Sequence, residues 1–315
     1  MSTLSLLPGG LLLLLSIFAV VSPGSADGPA NNGKPGILAP GAKLEKLSGG
    51  FAFTEGPASD ASGNIYFTDQ PSDRILKWSA ADGTISTFLH PCGRANGLCF
   101  DEHGDLWACA DGKNELWRIS PDGKVHVVIS DYAGKLLNGP NDVWLRPKSA
   151  GGGLFLTDPY YKRDYWKRDP AIQQASHAVY YLAPGGTTLT PVVTNMKQPN
   201  GIIGTPDGKT LYVADIDGNE TFAFDTQKDG SLTNRRFFCG MGSDGMTIDS
   251  EGNVYLTGKG VTVFDKTGKQ IEHIAIEENW TGNVCFGGKD KKLLFITAST
   301  SVYGMRMRVH GVGSQ

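Results

Sequence analysis

A chain of 315 residues, 40% hydrophobic and 19% charged with a net charge of −3, has the composition of a globular protein long enough for a large core. The near-neutral balance excludes the basic surface that nucleic acid or acidic lipid would need. Five cysteines, odd in number and without C-x-x-C spacing, argue against metal or redox use, although one pair could oxidise in an exported protein.

At the N-terminus, Leu11 to Val21 is an apolar run followed by the small residues Ser22-Pro23-Gly24-Ser25-Ala26. Spanning a bilayer takes about 20 residues, so the segment reads as an export signal over residues 1–26, cut near Ala26. It departs from the usual pattern in having no Lys or Arg before the run. The mature chain is expected in the periplasm or outside the cell, with no membrane partner. Residues 27–42 read as a flexible leader, and residues 43–315 as one domain.

Lys43–Leu47 then alternates apolar and polar residues as a strand does. Beyond it a junction recurs: a short oxygen-bearing side chain at the mouth of an apolar strand. The copies are Glu55-Gly56-Pro57, Asn96-Gly97-Leu98, Asn141-Asp142-Val143 after the Gly139-Pro140 turn, Asn200-Gly201-Ile202, Asp244-Gly245-Met246, and a blurred Gly282-Asn283-Val284. They fall 41 (55 to 96), 45 (96 to 141), 59 (141 to 200), 44 (200 to 244) and 39 (244 to 283) residues apart. Intervals of 40–45 residues with several short strands each are the signature of propeller blades. The second repeat shows the unit: strands Leu98–Asp101, Leu106–Cys109, Glu115–Ser120 and Val125–Ser130, with Asp- and Gly-bearing turns. Asn64–Thr68 with Arg74–Trp78, Leu154–Thr157, Thr210–Ala214 with Thr221–Asp225, Asn253–Thr257 with Val261–Asp265, and Leu293–Thr297 with Tyr303–Met307 follow suit.

The fold class is therefore all-β, a six-bladed β-propeller. The last repeat has only three strands of its own, so Lys43–Leu47 is expected to add the fourth and close the ring, hiding the open edge. The long third interval comes from an insertion at residues 159–177, between second and third strands and so on the junction face. It is rich in Tyr, Trp, Lys and Arg and reads as a lid or substrate wall, or as a solvated loop; Tyr160 is its candidate substrate contact.

If the repeats surround an axis, Glu55, Asn96, Asn141, Asn200, Asp244 and one of Gly282 or Asn283 converge on it. Two carboxylates with several amides form an all-oxygen set suited to a hard divalent cation, Ca²⁺ first. Zinc would prefer imidazole or thiolate, and the six His are scattered. Any single Asn-Gly or Asp-Gly pair is explained by turn chemistry, but Glu55 is a poor turn former and Asn141 precedes Asp142 rather than Gly. Gly240-Met241-Gly242-Ser243-Asp244-Gly245 fits a dinucleotide fingerprint yet leads into a strand, which removes that reading. Asp69, Asp111, Asp158 and Asp215, at the ends of second strands, read as turn residues or supports of the site.

Phe53-Thr54-Glu55-Gly56-Pro57, Pro140-Asn141-Asp142-Val143 with Phe155-Leu156-Thr157-Asp158-Pro159, Pro199-Asn200-Gly201 with Leu211-Tyr212-Val213-Ala214-Asp215, and Ser243-Asp244-Gly245-Met246 together resemble the gluconolactonase / senescence-marker-protein family. Phe286-Gly287-Gly288 and Leu294–Ala298 add to the likeness, which covers residues 43–308. The resemblance implies one catalytic divalent ion, commonly calcium, with Zn²⁺, Mn²⁺ and Mg²⁺ as the other candidates. It also implies hydrolysis of a small sugar lactone such as gluconolactone. By this match Glu55, Asn141, Asn200 and Asp244 are the metal ligands, Asp244 is the candidate catalytic acid–base group, and Asn96 lies near the substrate. The chain departs in having Ala110-Asp111 where a His is expected after Cys109, and in its own insertion. A phosphotriester hydrolase and a non-catalytic ligand-binding propeller are the alternative readings.

Overall fold

Short apolar strands separated by Asp- and Gly-bearing turns form six four-stranded antiparallel sheets. A computed structural model describes Met1 and residues 36–312, so the export signal read in residues 1–26 and most of the leader lie outside the described residues. Blade 1 is β2 (Thr54–Ser59), β3 (Ile65–Asp69), β4 (Arg74–Trp78) and β5 (Ile85–Leu89). Blade 2 is β6 (Ala95–Phe100), β7 (Leu106–Ala110), β8 (Glu115–Ile119) and β9 (Val125–Ile129). Blade 3 is β10 (Val143–Leu145), β11 (Leu154–Asp158), β12 (Ala178–Leu182) and β13 (Leu189–Val193). Blade 4 is β14 (Pro199–Gly204), β15 (Thr210–Asp215), β16 (Glu220–Thr226) and β17 (Leu232–Cys239). Blade 5 is β18 (Met246–Ile248), β19 (Val254–Gly258), β20 (Gly260–Phe264) and β21 (Gln270–Ile274). Blade 6 is β22 (Thr281–Gly287), β23 (Leu293–Ala298), β24 (Ser301–Arg306) and, as its outermost strand, β1 (Glu45–Gly49).

The core lies between blades rather than at one centre. Each apolar cluster joins two neighbours: Tyr66 and Ile75 of blade 1 meet Leu98 and Phe100 of blade 2, and Phe67 of blade 1 meets Phe295 and Val302 of blade 6. This follows from strand alternation, since both faces of every inner strand must be covered by a neighbouring sheet. All five cysteines are free, and no disulfide forms from the pair that export would allow. Burial pushes the Cys99 and Cys239 thiols up to about 11, which leaves them unreactive.

The ring closes as the alternation at its start requires, with a shift of register. Glu45 pairs Gly304 and Gly49 pairs Ser301, so the closing strand lies about two residues beyond the span expected for it. The expectation that the leader ends at residue 42 needs a correction as well. Ala39 N–H donates to Arg306 O (3.1 Å), Arg308 N–H donates to Ile37 O (2.8 Å), and Ile37 is 6% exposed within the core shared by blades 5 and 6. Residues 36–42 are thus a continuation of the closing strand, held by its backbone and by one isoleucine. Burying such a side chain is worth about 1.5–3 kcal/mol. Removing residues 1–35 should leave the melting temperature unchanged, whereas removing residues 1–42 should lower it by several degrees; identical melting curves for the two truncations would contradict this closure.

The innermost strands hold the other correction. The repeated junction was expected at the mouth of a strand. In four blades it is instead a bulge inside the innermost strand, with pairing interrupted between Glu55 and Ala58, Ala95 and Leu98, Pro199 and Ile202, and Thr281 and Asn283. A bulge re-aims a side chain while the strand continues. Among the five junction glycines only Gly56 has a positive φ, 44°. The others are small for close approach. A Cβ on Gly97 would strike the Asp142 backbone and carboxylate, one on Gly245 would strike the Asn283 amide, and one on Gly282 would lie 2.7 Å from Glu55 Oε1.

Candidate active site

The bulges and glycines bring the Glu55, Asp142, Asn200 and Asp244 side chains together at one end of the axis. Asn200 Nδ2 donates to Asp244 Oδ1 (2.8 Å), and Trp280 Nε1 donates to Asp244 Oδ2 (2.6 Å). Gly97 N–H donates to Asn141 O (2.7 Å), tying the second and third junctions. Glu55, 2% exposed, takes its own neighbour's Gly56 N–H on Oε2 (3.0 Å) and occupies the space that Gly282 leaves. Buried threonines support the backbone here: Thr157 Oγ1 accepts Asp142 N–H (3.1 Å), Thr257 Oγ1 accepts Gly245 N–H (2.8 Å), and Thr297 Oγ1 accepts Asn283 N–H (3.0 Å).

The sixth position, open in the sequence between Gly282 and Asn283, resolves into two roles. Gly282 makes room for Glu55, while Asn283 turns its amide nitrogen to Asp142 Oδ1 (3.1 Å) and its oxygen to Val284 N–H (2.8 Å). Asp142 is a site residue that the sequence reading passed over. Its signal was its place: it stands where four other junctions carry Gly56, Gly97, Gly201 and Gly245. It forms a floor with Asn283, below which a cavity of about 120 Å³ follows the axis between the six innermost strands. That cavity touches Asp142 and Asn283 but none of Glu55, Asn141, Asn200 and Asp244, so it belongs to the opposite side of the floor.

Three buried carboxylates share this end of the axis. Burial, and then the charges of Asp244 and Asp142, push the Glu55 carboxyl well above its ordinary value, while the Gly56 N–H and the Asn283 amide oppose them. Burial, then Asp244, raises Asp142. Burial also raises Asp244, against the Trp280 and Asn200 hydrogen bonds and the Arg163 charge. Asn96 Oδ1 and Asn200 Oδ1, both buried, have no hydrogen-bond partner among the described residues. An orphaned buried oxygen beside excess negative charge, as on Asn200 next to Asp244, is an environment a hard divalent cation satisfies. Glu55, Asn141, Asn200 and Asp244 could hold one, with Asn96 beside them. Among the described residues no group of three or more His, Cys, Asp or Glu is set to hold a metal ion, so such a site depends on the amide oxygens.

The insertion covers this end. Tyr160, the expected substrate contact, turns away: its hydroxyl donates to Pro170 O and its ring lies against Trp166. Its neighbour Tyr161 reaches the site, where Asn200 Nδ2 donates to the phenol oxygen (2.9 Å). Asp69, Asp158 and Asp215 clamp the backbone that leads into each junction: Ala52 and Phe53 N–H, Asn138 and Gly139 N–H, and Lys197 and Gln198 N–H respectively.

Burial raises the Asp158 carboxyl to about 7, against the opposing Gly139 and Asn138 N–H bonds. An unfolded Asp titrates near 3.9, so between about pH 4 and 7 the folded chain binds more protons than the unfolded one. The stability this group contributes is present below about pH 4 and is lost as the pH rises through 7. Asp158→Asn should therefore reduce the fall in melting temperature between pH 5 and 7, and an unchanged slope would contradict the assignment.

A six-bladed propeller with carboxylate and amide oxygens converging at one end of its axis, under a lid from the third blade, is the class that fold and site define. The family model described as the SMP-30/gluconolactonase/LRE-like region matches residues 53–300, and the chain belongs to that family. It is 28% identical over 305 residues to a gluconolactonase of Zymomonas mobilis subsp. mobilis, covering 87% of this chain and 84% of that one. The solved structure of a gluconolactonase from Xanthomonas campestris is 31% identical, with a TM-score of 0.78 and coverage of 86% of this chain and 91% of the other. A calcium-binding regucalcin from Agrobacterium tumefaciens, 19% identical with a TM-score of 0.70 over 86% of this chain and 95% of the other, shares the fold.

Proposed function

We propose that the chain hydrolyses a sugar lactone such as gluconolactone to its hydroxy acid, with a divalent cation, calcium first, held by Glu55, Asn141, Asn200 and Asp244. The observation that carries the proposal is the orphaned Asn200 amide oxygen on the side chain bound to Asp244, in a cluster with the buried Glu55 carboxyl, together with the orphaned, buried Asn96 oxygen. Its likeness to gluconolactonases over more than four-fifths of both chains supports the substrate class.

A cation bound there supplies electrophilic polarisation of the lactone carbonyl, worth several kcal/mol as negative charge develops on oxygen. The protein's own part is proton transfer and placement. Asp244 takes a proton from the attacking water as the C–O bond to water forms at the carbonyl carbon. It returns that proton to the ring oxygen as the ring C–O bond breaks, which leaves one hydroxy acid and balances the step. Trp280 and Asn200 each fasten one oxygen of Asp244, so its carboxylate plane is fixed before substrate arrives. Glu55, sealed between Gly56 and Gly282, contributes charge rather than proton transfer.

The test is a panel of aldonolactones, homoserine lactones and phosphotriesters offered to the calcium-loaded protein. Saturable turnover of an aldonolactone is expected. Turnover of phosphotriesters alone would favour the organophosphate reading, and binding without turnover the non-catalytic one.

A further inference from the structure

Of the four carboxylates at the ends of second strands, Asp111 alone is not employed on the backbone of its own junction. In blade 2 the N–H groups of Cys92 and Arg94, just ahead of the junction, go instead to Asp73 Oδ1 (3.1 and 2.6 Å). Asp111 accepts from Asn114 Nδ2 on Oδ1 (3.3 Å) and, at 3.5 Å, from Gln70 Nε2 on Oδ2, and its remaining bonds go to the insertion: Arg163 Nε donates to its Oδ2 (3.0 Å), Tyr165 donates its hydroxyl to the same oxygen (2.7 Å), and Trp166 Nε1 donates to its backbone oxygen (2.8 Å). Gly139 leaves the room this needs, since a Cβ there would lie 3.0 Å from Asp111 Oδ1 and 3.5 Å from the Trp166 ring.

The latch fixes Arg163 by one nitrogen. Its guanidinium lies 5.2 Å from the centre of the Tyr161 ring and feels the charges of both Glu55 and Asp244. Its terminal amino groups have no hydrogen-bond partner among the described residues, and its side chain is 26% exposed. Tyr161 accepts from Asn200 and so retains its own hydroxyl proton to donate. Unengaged donors on a fixed planar fork, next to a phenol and stacked on its ring, are what an array of substrate hydroxyl groups requires.

We propose that Arg163 and Tyr161 bind the ring hydroxyls of the substrate, so that the insertion selects polyhydroxylated lactones over plain alkyl lactones, with Asp111 as the residue that positions Arg163. This rests on the lactonase reading. An alkyl lactone would cover these donors without pairing them, and a site built to hydrogen-bond a hydroxyl discriminates strongly against the analogue that lacks it.

The test compares kcat/KM for glucono-1,5-lactone and δ-valerolactone in the parent, Arg163→Gln, Arg163→Lys, Asp111→Asn, the Arg163–Asp111 double variant and, as a control in the same loop, the exposed Lys162→Gln. Arg163→Gln should lower the ratio of the two by about tenfold or more, through KM for the hydroxylated lactone. Arg163→Lys, a point charge without the fork, should recover part of the loss. Asp111→Asn should reproduce the effect, and the double variant should add little to either single change, because the two act as a unit. Lys162→Gln should leave the ratio unchanged.

Calorimetric binding of the unreactive gluconolactam should follow the same order, which keeps the test independent of turnover. Equal losses on both lactones, or an unchanged ratio in an Arg163→Gln protein that melts like the parent, would overturn the proposal. If the parent hydrolyses neither lactone, the lactonase reading fails, and undiminished lactam binding by Arg163→Gln then overturns this proposal separately.

Discussion

Asp244→Asn, assayed at saturating calcium with the bound ion counted, is expected to lower kcat for gluconolactone by about 10²–10⁴-fold, the usual worth of an acid–base group. The substitution keeps the shape and keeps one oxygen for a cation, but removes the basic lone pair that takes the proton from water. It also disturbs a defined pair of bonds. Asn200 and Trp280 both donate to Asp244, and an amide at 244 would present an NH₂ group to one of those two donors. Glu55→Gln is the comparison, because Glu55 lies in the same buried cluster and accepts from Gly56 N–H rather than from Trp280 or Asn200. When metal-loaded, Glu55→Gln should lose far less kcat than Asp244→Asn. Undiminished turnover by metal-loaded Asp244→Asn would reduce Asp244 to a ligand and leave the proton transfer to another group.

The second large effect is thermal. Protein stripped by a chelator should regain stability on addition of calcium, because a ligand that binds only the folded chain stabilises it by mass action, about 2.7 kcal/mol at a hundredfold excess over Kd. For a domain of this size that corresponds to roughly 5–8 °C in melting temperature. The physical source is on the axis: Glu55, Asp142 and Asp244 are buried together, with Arg163 the cationic side chain acting on two of them, so charge there is under-compensated. Glu55→Gln and Asp244→Asn should each diminish the calcium response, since either leaves the ion with one balancing carboxylate fewer. Equal calcium responses in the parent and both variants would place the ion elsewhere.

Much of this architecture was legible in the residues because propeller blades are local. Each hairpin is written in a few alternating residues and a turn, so the blade count could be read from spacing and the closing strand from alternation. What escaped reading depends on neighbours far apart in the chain. Asn-Gly and Asp-Gly signal a turn by propensity, yet at Gly97 and Gly245 the glycine answers to the next blade's Asp142 and Asn283, which nothing in the local sequence announces. Asp142 was visible only as an exception to the Gly rule, and its partner Asn283 lies 141 residues away. Within the insertion, adjacent Tyr160 and Tyr161 are equivalent by composition, and the loop's own hydrogen bonds decide which reaches Asn200. The leader's last seven residues carry no strand alternation, and Ile37 is held by β24 and its extension rather than by any pattern of its own.

The proposed chemistry ties turnover to the axial ion. The decisive measurement is the initial rate of gluconolactone hydrolysis, above the spontaneous rate, in samples whose calcium content per chain is set by chelation and counted by elemental analysis. The expected rate rises in proportion to occupancy up to one ion per chain and vanishes at zero. A rate independent of occupancy, or no enzymatic rate at full occupancy, would contradict it.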